Sequence, residues 1–144
     1  MGQRKTKRSD EYNDTSITIL VALFLGACTL LAIEAVLGAS EDAGWHLTGS
    51  IPKWQLHMGT TCGGTITFFV YLYILQFIET DSRPTAWRSS LPWLPLVGLT
   101  ALATTVYIPF YIVFLIGGCY AVWAYRRTRN VRRLPIPRKR KGTA

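Results

Sequence analysis

Apolar residues along this chain fall into long runs almost free of charge, separated by short polar blocks. Ser16 to Gly38 is the first run, and Glu34 is its one charge. Gln55 to Ile78 is the second, uncharged, with His57 near its start. Leu91 to Tyr125 then continues for 35 residues without a charge. Crossing about 30 Å of hydrocarbon takes roughly 20 helical residues, so each of the first two runs suffices for one crossing. A straight helix over the third would be about 52 Å long. Two crossings meeting at Ile108-Pro109 fit better, each at the short limit, because proline removes a backbone donor and clashes with the preceding turn. The pattern predicts an all-α integral membrane four-helix bundle made of two transmembrane hairpins, with spans at about 16–38, 55–78, 91–107 and 109–125.

Charge placement orients those spans. Sixteen Lys and Arg against eight Asp and Glu give a formal charge of +8. Four of the basic residues precede the first run, Lys53 alone lies between the first and second, Arg83 and Arg88 lie between the second and third, and nine follow Tyr125. With four crossings all but Lys53 fall on one side, and the positive-inside rule makes that side, and with it both termini, cytoplasmic. Residues 1–15 then form a polar cytoplasmic tail, 16–125 the membrane domain and 126–144 a basic cytoplasmic tail. The first run exceeds the h-region of a secretory signal and is expected to stay as an anchor. A helix start is expected at Ser89 or Ser90, ahead of Pro92. The expected setting is a bacterial or archaeal cytoplasmic membrane, with an organellar membrane as the alternative.

Few residues inside the runs carry chemistry. Glu34 lies four positions from the outer end of the first run. Charged groups at membrane depth usually face protein or a water-filled cavity, although at this depth a side chain also reaches the interface. The second run opens with His57, Thr60 and Thr61, and the third closes with Thr104, Thr105 and Tyr107. All share the outer half with Glu34, so these seven residues are expected to line one polar pocket, with Glu34 and His57 paired. Gly26 on the first run and Gly59, Gly63 and Gly64 on the second supply small surfaces for helix packing, Gly59 and Gly63 as a GxxxG.

The three cysteines, Cys28, Cys62 and Cys119, all fall inside runs and form no CxxC pair, so they read as small apolar side chains. No cofactor is predicted. A haem or metal at His57 is the minor alternative, because Met58 and Cys62 are soft donors on diverging helical faces. No catalytic motif occurs. Arg126, Arg127, Arg129, Arg132 and Arg133 are expected to meet anionic lipid headgroups or an acidic partner face. No nucleic-acid-binding module accompanies the basic charge.

These features favour a non-catalytic accessory, assembly or stabilising subunit of a larger membrane complex, in contact with other membrane subunits or with further copies of itself. The alternative is a small oligomeric ion- or proton-coupled transporter or channel using Glu34. A holin-like pore former and a redox protein built on His57 are further alternatives.

Overall fold

The computed structural model describes the backbone of residues 3–44 and 49–132 and the side chains of 15–44 and 49–130. The described residues are helical and contain no strand. They form α1 (Gln3–Asp42), α2 (Lys53–Thr80), α3 (Arg83–Ser90), a 3₁₀ turn (Leu91–Trp93), α4 (Leu94–Thr105) and α5 (Phe110–Arg132). Thr15–Asp42 of α1 and Lys53–Thr80 of α2 are each long and apolar enough to cross a membrane.

Several boundaries differ from the sequence expectation: α1 and α5 run on to Asp42 and Arg132, past the expected ends at Gly38 and Tyr125. Helix α1 starts at Gln3 rather than near Ser16, so the polar segment 3–15 extends the apolar helix and Thr15 is buried. The segment between the second and third runs turns helical at Arg83 rather than at Ser89 or Ser90, with Pro84 in the first turn. There proline's missing N–H costs nothing. The tight link between α2 and α3 rests on Asp81, which takes the left-handed conformation at φ 48° and returns its N–H to the Phe77 carbonyl. Aspartate tolerates that region better than most residues.

Residues 83–105 follow one helical path broken by prolines. Pro92 and Pro95 lack the N–H groups that the Arg88 and Leu91 carbonyls would receive in an α-helix. Leu94 donates to Leu91 instead, one residue short, and a 3₁₀ turn results. The path ends at Val106, which is extended. Pro109 cannot donate to Thr105, and α5 begins just after it, with Ile112 and Val113 donating to the Pro109 carbonyl. The break therefore falls at residues 106–109, around the expected hinge.

Helix α2 is the centre. Its buried residues include Thr60, Gly64, Phe68, Leu72 and Gln76, a four-residue row. Each step of four advances about 40° around the helix, so the row winds from one neighbour to the next. Thr60 and Gly64 meet α1, Phe68 meets both α1 and Trp93, and Gln76 meets Ser89. Helices α1 and α2 run antiparallel, since Thr18 bonds Glu79 at one end and His57 bonds Glu34 at the other. The end with Glu34 and His57 is called the upper end below.

The lower end is fastened by buried polar groups. The Ser89 hydroxyl bonds the Gln76 side-chain oxygen. Thr128 donates to the Ser89 carbonyl at 3.0 Å and accepts from the Trp93 indole at 2.9 Å. Tyr120 donates to the Pro92 carbonyl at 2.8 Å. Ser16 and Tyr125 share a hydrogen bond of 2.8 Å, which ties α1 to α5. Around these sits the main apolar cluster of Ile19, Ala22, Phe68, Leu72, Trp93 and Ala124. A second cluster, of Met58, Ala103 and Val113, joins α2, α4 and α5 higher up.

Candidate functional site

Glu34 reaches the upper end because α1 continues past it to Asp42. His57 and Thr60 come from the first turns of α2, after Pro52 opens that helix. The His57 Nδ1–H donates to Glu34 Oε1 at 3.1 Å, and the Thr60 hydroxyl reaches the same oxygen at 2.8 Å. Thr60 is buried and also lies 2.9 Å from the His57 carbonyl. Its single proton can serve one acceptor at a time. Glu34 Oε2 and His57 Nε2 have no hydrogen-bond partner among the described residues.

Among the described residues two hollows adjoin this pair. The larger, about 510 Å³, is lined by Leu30, Glu34, Trp54, His57, Met58, Thr61, Tyr107, Ile108, Phe110 and Phe114. The smaller, about 210 Å³, is lined by Glu34, Leu37, Gly38, Glu41, Lys53, Leu56 and His57. Glu34 and His57 thus stand between an aromatic, largely apolar chamber and a hollow lined by further charges.

The seven residues expected in one pocket separate into two groups. Glu34, His57 and Thr60 are bonded together, and Thr61 and Tyr107 line the larger chamber. Thr104 and Thr105 do not appear among its lining residues. Their hydroxyls turn back onto Ala101 and Leu102 of their own helix at 2.6 and 2.8 Å, a common outlet for a helical threonine. Thr104 contributes through its backbone. Its carbonyl would receive the Ile108 N–H in an unbroken helix, and the Gln55 side-chain amide donates to it instead, at 2.9 Å. This bond satisfies an open helix end and steadies the break that forms one wall of the chamber.

The expected glycine packing is also redistributed. A Cβ on Gly26 would lie 2.9 Å from the Gly64 carbonyl, and one on Gly63 would lie 3.1 Å from Ile33. Gly59 is exposed, and a Cβ there would meet nothing within 4 Å. The close approach pairs Gly26 with Gly64, and the GxxxG partner Gly59 takes no part.

Among the aromatic walls of the chamber, Phe110 and Phe114 are not singled out by the sequence pattern, and Trp54 is expected from it only at headgroup depth. Their signal was position, since aromatic residues flank the break at 106–109 and the start of α2. Gln76 was missed as well, although it interrupts an otherwise apolar stretch from Ile74 to Ile78.

Among the described residues no group of three or more His, Cys, Asp or Glu side chains gathers. Cys28 and Cys119 are exposed and Cys62 is half-buried. Arg126 and Arg127 are exposed and Arg129 is half-buried at the lower end of α5. The side chains of Arg132 and Arg133, and His46, lie outside the described residues. Comparison with protein-family models, curated proteins and solved structures found no match.

Proposed function

We propose that this is a membrane protein of four crossings, with both termini cytoplasmic, that binds a small molecule in its outer half and, as an oligomer, moves it. The upper end is the outer end in this reading. Helices α1 and α2 make the first hairpin. The helical path 83–105 and α5 make the second, with Arg126, Arg127 and Arg129 at the cytoplasmic rim among anionic headgroups. The observation that carries the reading is the 510 Å³ chamber with the Glu34–His57 pair in its wall. Sites for drug-sized ligands span about 300–1,000 Å³, are mainly apolar and hold a few convergent polar groups.

Equilibrium dialysis of tritiated phenanthrene, a neutral three-ring probe, into protein-containing micelles tests this, with empty micelles subtracted. Saturable uptake of one equivalent is expected. Thr61→Trp, which fills the chamber, should abolish it without lowering the unfolding temperature. Uptake that only tracks detergent concentration would refute the reading.

One observation favours the accessory-subunit reading as the second. Leu115, Gly118, Cys119 and Val122 form one exposed face of α5, and a Cβ on Gly118 would meet nothing within 4 Å. Small residues on an outward face let another helix approach closely. Stoichiometric partner chains retained through mild-detergent purification, and lost in Gly118→Leu, would support it.

A further inference from the structure

We propose that the ligand of the larger chamber is a lipophilic monocation, one positive charge shielded or delocalised on an aromatic or alkyl body. The inference rests on the binding role just proposed and names the chemistry of the bound molecule.

The first argument is charge. Glu34 is the one acidic or basic side chain lining the chamber apart from the titratable His57. Lys53 lines only the smaller hollow. Glu34 is the one carboxylate on these walls. Thr60 and His57 both engage Oε1, which leaves Oε2 without a partner among the described residues. A neutral occupant without a hydrogen-bond donor would strip water from that oxygen and return nothing, and an anion would add repulsion. A cation compensates it.

The walls supply the second argument. Trp54, Tyr107, Phe110 and Phe114 line the same chamber. The Trp54 and Tyr107 rings meet edge-to-face, with centroids 5.5 Å apart and planes at 83°, and so form a corner of two differently directed π surfaces. Aromatic faces attract cations through their quadrupole, most strongly when both are shielded from water. The same walls suit an apolar body.

Desolvation narrows the class. A compact ammonium loses strong hydration on entering such a chamber, and one carboxylate repays it poorly. A cation whose charge is spread or covered by carbon loses far less. A small inorganic ion would also leave most of the 510 Å³ unused.

Tetraphenylphosphonium and tetraphenylborate have nearly the same size and shape and opposite charge. Their binding is measured by dialysis into micelles of the wild-type protein, with micelles of Thr61→Trp as the blank. Saturable binding of tetraphenylphosphonium is expected, about tenfold or more tighter than tetraphenylborate, the scale of a shielded cation–π or charge contact. Glu34→Gln should cut the preference several-fold, and an unfolding temperature equal to that of wild type shows that the variant is folded. Trp54→Leu should weaken the phosphonium several-fold more than phenanthrene. Equal affinities for the two ions, with phenanthrene still saturating, would overturn the monocation and leave the binding chamber standing. Failure of all three probes to saturate would overturn both.

Discussion

Gly26 and Gly64 bring the backbones of α1 and α2 together at mid-height. A Cβ built on Gly26 would sit 2.9 Å from the Gly64 carbonyl oxygen and from Phe68 Cβ, and one on Gly64 would sit 3.2 Å from the Gly26 carbonyl. Backbone cannot yield as a side-chain tip can, so Gly26→Ala must push the helices apart. Overpacking of this kind costs about 1–3 kcal/mol. Reversible unfolding in mixed micelles should show that loss for Gly26→Ala, whereas Gly59→Ala, inside a helix with room for a methyl, should be neutral or stabilising by up to about 1 kcal/mol.

Thr128 makes a second discriminating site, because its hydroxyl is both donor to the Ser89 carbonyl and acceptor from the Trp93 indole. Thr128→Val keeps the shape and leaves two buried groups unsatisfied, at about 1–3 kcal/mol each before relaxation. The lower ends of α3 and α5 should loosen together, read as faster amide exchange in both. Thr105→Val, at an exposed residue bonded within its own helix, should leave exchange unchanged.

The Glu34–His57 pair is expected to matter little for stability. Their side chains are 38% and 58% exposed, and ion pairs in that setting are worth about 0–1 kcal/mol. A double-mutant cycle with Glu34→Gln and His57→Asn should return a coupling energy inside that range. A coupling above about 2 kcal/mol would mark the pair as a structural clamp and weaken its assignment to ligand binding.

The proposed orientation can be tested by labelling. In a cysteine-free background, Ser50→Cys between α1 and α2 should react with an impermeant maleimide added to intact cells. Ser82→Cys and Arg127→Cys should react only after permeabilisation. External labelling of Arg127→Cys would reverse the arrangement of the second hairpin.

Much of this architecture can be read from residue order, for reasons that differ by element. The break near Pro109 is legible because a missing N–H has a local consequence. The nearness of Glu34 to His57 follows because both lie within about two turns of the same connection between two adjacent antiparallel helices. The glycine contact was harder, since a GxxxG spacing marks one helix face without saying which way that face turns, and Gly59 turns outward. The threonines show a similar ambiguity. Thr60 reaches across to Glu34, while Thr104 and Thr105 satisfy themselves on their own helix, and spacing alone does not distinguish the two. The helical start at Arg83 was hidden because two arginines in a polar segment resemble a loop, and only the partners of Ser89 and Ser90 in the packed structure reveal why it winds. Phe110 and Phe114 line the chamber through the packing of α5 beside α1 and α2, a tertiary property.

The hydroxyl link between Ser16 and Tyr125 joins the first helix to the last at the lower end. Segments far apart in sequence are thus held to each other by two hydroxyls, so the first and last helices share one fate at that end, and whatever loosens α5 there also loosens α1.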